Sequence, residues 1–295
     1  MSAFKLIEAE RAGFPVPLMC RLLGVSRSGY YAWRDRPPSR GDRADAGLVE
    51  RIRAIHEKSR GTYGAPRIHA GLRLAEGVRR GGRRVARLTG KAGIRGCCRG
   101  RESRTTTRRA ERMPSAPDLV ERDFTPEAPD RLWVADMTCL GSWGGWMYLA
   151  FVLDAHSRRV VGCSMANHLR AELVVDALNM ALWRRDPAPG LIHHSELHGS
   201  QCTSVEFGGR LKEAGLLPSM GSVSDAYDNA LAESFIASLK TELLYRRSWP
   251  TRESVRAAVF EYIETFYNSR RRHSALGYLS PMEYEEVRIG EEAVA

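Results

Sequence analysis

Three apolar stretches, RLWVADMTCL, GWMYLAFVLD and RRVVGCSMA, follow one another between positions 131 and 166. The links between them, GSWGG and AHS, are too short to return the chain to the starting end of a strand. A parallel pair needs a crossover of about a dozen residues, so these strands pair antiparallel. GWMYLAFVLD is apolar almost throughout, which suits a central strand covered on both faces. Downstream, RAELVVDALNMALWRR reads as a helix, GLIHHS as a strand, SVEFGGRLKEAG as a helix and LLPSMG as a short strand. DAYDNALAESFIASLKTEL then makes a further helix. An antiparallel meander followed by alternating helices and strands specifies an α/β layer, a mixed five-stranded sheet flanked by helices.

The region in front of this layer is all-α. PLMCRLLGVSRSGYYAWRDRPP reads as a helix, a tight Gly24-Val25 turn and a second helix capped by Ser26. Arg27, Tyr30 and Arg34 are candidate DNA contacts on that second helix, in a helix-turn-helix pattern that is weak when taken alone. DAGLVERIRAIHEKS follows with an apolar stripe of Leu48, Ile52 and Ile55. GTYGAPRIHAGLR and GGRRVARLTGKAGIRG form a second candidate unit, with Val85 and Leu88 turned inward and Arg83, Arg84 and Arg87 on a basic face. RGRESRTTTRRAER has no apolar period and reads as a basic linker. The expected divisions are a helix-turn-helix region at 1–98, a linker at 99–127, a catalytic core at 128–245 and a helical extension at 246–295.

Charge separates the two halves. Residues 1–112 hold 27 Lys+Arg against 10 Asp+Glu, a balance of +17, and the remainder holds 18 against 25, a balance of −7. So basic a front end suits a polyanion, most simply nucleic acid. The six cysteines form no C-x-x-C pair and read as packing thiols. No apolar run reaches the roughly 18 residues of a membrane span, so no membrane role and a cytoplasmic setting are expected.

Three carboxylates fall where this layout would gather them. Asp136 comes near the end of the first strand, Glu196 follows the fourth, and Glu233 sits early in the last helix. At about 100° per residue, Glu233 and Lys240 lie roughly 20° apart and outside the arc of Leu231, Phe235, Ile236, Leu239 and Leu243. On this helix alone, an ordinary solvated face is the favoured explanation of the pair. Three like charges repel unless a cation sits among them, and oxygen-only ligands suit Mg²⁺ or Mn²⁺. Two such ions can support in-line phosphoryl transfer without a nucleophilic side chain.

RLWVADMT, YLAFVLDAHSRRVVG, HHSELHGSQCTS, GSVSDAYDNALAESFIASLKTEL and FYNSRRRHSALGYLSPMEY, taken in order, resemble the second-frame product (OrfB) of bacterial insertion sequences. That group carries a retroviral-integrase-like DDE core. CRLLGVSRSGYYAWRDRPP and SRGTYGAPRIHAGL resemble the helix-turn-helix region of the same proteins, so the likeness covers nearly the whole chain. It implies an RNase H-like catalytic fold and an acidic triad of Asp136, Glu196 and Glu233 binding two Mg²⁺ (or Mn²⁺) ions.

The implied activity is metal-dependent cleavage and strand transfer at element ends. The implied partners are double-stranded DNA at those ends and at the target, further copies of the chain on DNA, and an upstream-frame OrfA-type protein. The match also gives Lys240 a grip near the cleaved end, His194 and Asn229 supporting places around the acids, and Arg271, Arg272 and His273 a clamp on DNA. One departure stands out. The family has aspartate where this chain has Glu196, and HSELHGSQ carries one extra residue before Gly199. The departure implies an impaired enzyme or, alternatively, a dead remnant acting only as a DNA-binding protein.

Overall fold

The computed structural model describes residues 2–98, 116–121, 123–195, 205–220 and 230–292. The chain divides into two compact units, residues 1–51 and 52–295. The front helices are therefore shared between them.

In the first unit, helices α1 (Ala3–Glu10), α2 (Val16–Leu22) and α3 (Arg27–Arg34) close over Ile7, Met19, Cys20 and Tyr30. Gly24 takes the left-handed turn between α2 and α3 at a φ of +66°. Ser26 caps α3, its Oγ accepting from the Gly29 N–H at 3.0 Å. Helix α4 (Arg40–Lys58) begins in this unit and ends in the next, burying Leu48, Ile52 and Ile55 along one stripe.

The second unit opens with α5 (Ala65–Leu74) and α6 (Gly82–Lys91). Val85 and Leu88 of α6 are fully buried, as the 3.6-residue period requires. The sheet follows: β1 (Leu132–Ser142), β2 (Gly145–Asp154), β3 (Val160–Ala166), β4 (Ile192–Ser195) and β5 (Leu217–Met220), in the order β3-β2-β1-β4-β5. The first three strands pair antiparallel and the last two add in parallel. Helices α7 (Ala171–Arg185) and α8 (Val205–Glu213) supply those parallel connections. Helix α9 (Ala230–Glu242) packs against β1. The chain ends with α10 (Arg252–Glu261) and α11 (Pro281–Glu292). A mixed five-stranded sheet with an all-α front region is thus present.

Side-chain alternation sorts the two faces. Trp133, Ala135, Ala150 and Val152 share one core with α7 and with Phe207 and Leu211 of α8. The residues between them, Val134, Asp136, Phe151 and Leu153, point the other way. Gly162 shows how closely α7 lies on the first face. A Cβ there would overlap the Ala177 carbonyl oxygen and press on Ala181. Helix backbone cannot yield as a side chain can, so Gly162→Ala is expected to cost about 3 kcal/mol, read as a lower denaturation midpoint.

Edge strand β3 is paired by a side chain rather than another strand. Asn268 accepts from the Val160 N–H through Oδ1 and donates to the Val160 carbonyl through Nδ2, both at 2.9 Å. TRESVRAAVFEYIETFYNSR reads as one continuous helix in sequence, but Tyr262–Tyr267 form a π-helical turn after α10. The wider turn holds Tyr262, Ile263, Phe266 and Tyr267 within a narrow buried arc and brings Asn268 round to β3.

Candidate active site

Asp136 directly follows the described pairing of β1 with β4. That pairing runs from Leu132↔Ile192 to Ala135↔Ser195, and Ser195 is the last described residue of β4. The sequence places this acid near the end of its strand. It stands instead at the fifth position of eleven, because β1 stays paired with β2 as far as Ser142↔Gly145. Asp136 is half-buried, and its Oδ1 accepts from the Met137 N–H at 2.7 Å.

Glu233 reaches the same face through α9. Asp136 sits directly across the ladder from Phe151, and the Phe151 ring packs on Phe235 with centroids 4.6 Å apart. Glu233, two residues before Phe235, is exposed in the first helical turn, where the helix dipole favours a negative charge. Leu231, Phe235 and Leu239 are buried, Ile236 is only partly so, and Lys240 is half-buried on the Glu233 side. The helix thus fixes itself by apolar contacts and leaves the acid toward solvent.

Glu196 and Asn229 lie outside the described residues. Strand β4 ends beside Ala135 at Ser195, the residue before Glu196 in the chain. His194 pairs with Val134 and so shares the Asp136 face. It is buried, with Nδ1 3.0 Å from Ser219 Oγ and its ring edge-on to Phe124. Among the described residues no three of His, Cys, Asp and Glu cluster tightly enough to hold a metal ion. Asp136 on β1 and Glu233 on the helix packed against it bring carboxylate oxygens, a donor type that fits Mg²⁺.

The front-end contacts divide. Arg27 and Arg34 are exposed on α3, and the Arg34 guanidinium lies 4.8 Å from the Tyr31 ring centroid. Tyr30 corrects the sequence reading. It is fully buried, with its hydroxyl donating to Glu8 at 2.5 Å, because the apolar stripe of α3 needs it to close the three-helix core. Arg34→Ala should therefore weaken DNA binding several-fold, whereas Tyr30→Phe should leave it unchanged and cost about 1 kcal/mol of stability. Gel shift and thermal melting separate the two. On α6, Arg83 and Arg87 are exposed and Arg84 is half-buried.

Arg271, Arg272 and His273 are a second correction. They are turned into the protein. Arg271 is 5% exposed and grips Glu242, Nε to Oε2 at 2.9 Å and Nη2 to Oε1 at 2.8 Å. Glu242 also accepts from Tyr262 at 2.8 Å and from Arg67 at 3.2 Å. Arg272 donates to Glu283 at 2.5 Å and to the Tyr278 carbonyl at 3.3 Å. His273 is 9% exposed, and burial, reinforced by Arg271, Arg67 and Arg158, holds its pKa well below the ordinary value. A neutral, buried imidazole is a poor clamp for a phosphate. Tyr63 completes the arrangement, its hydroxyl donating to the Arg270 carbonyl at 3.1 Å and accepting from the Arg272 N–H at 2.7 Å. Sequence reasoning missed Glu242, Tyr63 and Asn268. Each sits in a stretch, YGAPR, LKTEL or FYNSR, that carries no motif of its own.

The sequence matches two integrase core domain models, over residues 126–226 and 214–281, and an HTH-like domain model over residues 42–102. It is 38% identical to the transposase for insertion sequence element IS629 of Shigella sonnei, covering 95% of each chain. It is 39% identical to transposase InsF for insertion sequence IS3A of Escherichia coli, covering 96% of this chain and 98% of that protein. The catalytic core domain of BIV integrase superposes with a TM-score of 0.42 at 19% identity, over 55% of this chain and 99% of that one. No helix among the described residues is long and apolar enough to cross a membrane. With relatives this similar over nearly its whole length, the chain belongs to the IS3 family of insertion-sequence transposases, polynucleotidyl transferases with a DDE integrase core behind a helix-turn-helix-like domain.

Proposed function

We propose that Asp136, Glu196 and Glu233 together hold Mg²⁺ against a DNA phosphodiester, and that the chain cuts and joins DNA at the ends of its element. The observation that carries this reading is the packing of α9 on the face of β1 that bears Asp136. The Phe235 ring lies on Phe151, the cross-strand neighbour of Asp136, Glu233 stands in the first turn of that helix, and Glu196 follows β4 in sequence. Bound divalent ions would supply charge neutralisation at the phosphate and an activated water or 3′-hydroxyl. The chain's own share is positional. Packing of α9 on β1 fixes two of the acids, and Lys240, one face of α9 with Glu233, meets the DNA backbone near the cleaved end. Arg27, Arg34, Arg83, Arg84 and Arg87 bind duplex phosphate. Double-stranded DNA, further copies of this chain and an upstream-frame OrfA-type protein are the partners this reading requires.

The test is incubation of the full chain with a labelled element-end duplex in Mg²⁺, with EDTA as control. Nicking and joined product are expected only with the metal. A chain that binds the duplex and never cuts it is the DNA-binding remnant instead.

Glu196 is a finer part of the same proposal. It is one methylene longer than aspartate, and Leu197 stands beside it as the extra residue. Octahedral Mg²⁺ tolerates little displacement of a ligand. The chain is expected to cut more slowly than the variant with Glu196→Asp and Leu197 deleted. Equal rates, or a slower variant, would show that the longer acid carries no penalty.

A further inference from the structure

Beside the line of Glu233 and Lys240, α9 turns a row of hydroxyls, Ser234, Ser238 and Thr241, into a cavity of about 280 Å³. Arg158 and Arg271 also line it, and Arg271 Nη2 donates to Ser238 Oγ at 3.0 Å. Arg271 is committed to Glu242, as described above. Arg158 is not: among the described residues its guanidinium has no hydrogen-bond or ion-pair partner, although it is half-buried. It sits in the β2–β3 turn at a φ of 61° and lines the cavity. Burial lowers its pKa without neutralising it.

The charge of the cavity is unbalanced. Arg67, Arg158 and Arg271 bring three positive charges and Glu242 one negative, while His273 is neutral. Two positive charges in excess, a spare planar guanidinium and a row of hydroxyl donors make a receptor for an anionic oxygen group. We infer that this cavity binds a phosphate group through Arg158, and that its source is the backbone of the DNA strand running away from the acids. The inference rests on the proposed function for the direction of that strand. At about 100° per residue, the hydroxyl row lies roughly 80–140° around α9 from Glu233. On a helix about 10 Å across that is an arc of about 7–12 Å, roughly one to two phosphate steps of a strand.

The experiment uses the full chain in EDTA, so that binding is read without cutting. Fluorescence anisotropy with a labelled duplex bearing a single-stranded tail gives affinity across a salt series. Arg158→Gln should bind about 5- to 10-fold more weakly and lose a little under one unit from the slope of log affinity against log salt, the signature of one phosphate contact. Arg158→Lys, equally compatible with the turn, should keep the slope. Thr241→Glu, which places a negative charge in the cavity without altering Arg158, should repeat the loss and covers the case of a Gln variant that does not fold.

Inorganic phosphate supplies the second arm. It should raise the melting temperature of the natural chain by about 2–4 °C and leave Arg158→Gln unmoved. A loss in the DNA arm assigns the cavity to a DNA phosphate. A loss in the phosphate arm alone assigns it to a free phosphate ion. An unchanged salt slope together with an unchanged phosphate response in Arg158→Gln overturns the site. Because no arm involves cleavage, a chain that never cuts DNA leaves this result readable.

Discussion

Asp136→Asn is expected to lower DNA cutting by about a thousandfold or more while leaving the fold and DNA binding intact. The substitution keeps the side chain's volume and its carbonyl oxygen, so the hydrogen bond from the Met137 N–H survives and β1 is undisturbed. What it removes is one anionic ligand. Losing that charge at the metal is worth about 4 kcal/mol of transition-state stabilisation, hence the factor of about 10³. Glu233→Gln should act alike for the same reason. Its side chain is exposed on α9, so stability should change by no more than about 0.5 kcal/mol. Rates of nicking and joining, measured beside gel-shift affinity, check both. Cutting retained within tenfold in either variant would remove that acid from the site.

The largest effect on stability is expected at Glu242. Glu242→Ala strips the counter-charge from Arg271, which is 5% exposed, and leaves Arg67 and the Tyr262 hydroxyl without their acceptor. Removing one partner of a buried ion pair costs about 3–5 kcal/mol. The loss should appear as a lower denaturant midpoint at an unchanged m-value. Because the network joins α5, α9 and the segment after the π-helical turn, the variant should also free the contact between residues 60–67 and 270–273.

The sign of the pH dependence follows from the same network. Burial alone would raise the Glu242 pKa, but the Arg271 hydrogen bonds and the charges of Arg271 and Arg67 outweigh it, and the net shift is downward. A carboxylate lowered on folding stabilises the protein above its ordinary value of 4.5, and that stability is lost as the pH falls below it. Glu242→Gln should therefore flatten the acid limb of the stability profile below pH 4.5. An acid limb as steep as that of the natural chain would mean the Glu242 carboxyl titrates normally.

Local pattern is enough to read the sheet and the side of α9 that carries Glu233. Short links force antiparallel pairing whatever the distant residues do, and the apolar stripe of Leu231, Phe235 and Leu239 fixes which side of α9 faces the core. Those facts alone put Glu233 on an open face above β1. The interior polar network was not legible in the same way. Arg67 and Glu242 are 175 positions apart, and the Tyr63 hydroxyl meets the Arg272 N–H across 209. RRRH at a helix end looks like an outward cationic cluster until a buried carboxylate 29 residues upstream draws Arg271 inside. Tyr30 fails for a related reason. On a helix of eight residues a tyrosine can serve the core or the surface, and only the packing of α1, with Glu8 as acceptor, decides. The sequence puts Asp136 near the end of its strand, but β1 runs on to Ser142 because its pairing with β2 continues to Ser142↔Gly145.

The central claim is that three acids from separate elements share one bound cation. Iron-mediated cleavage tests it most directly: Fe²⁺ replaces Mg²⁺ in the full chain, ascorbate and peroxide are added, and the cut sites on the polypeptide are mapped. The account predicts cuts clustered near Asp136, Glu196 and Glu233, suppressed together by excess Mg²⁺ and lost together in Asp136→Asn. Cuts near one acid only, or cuts near Glu196 that persist in Asp136→Asn, would contradict it.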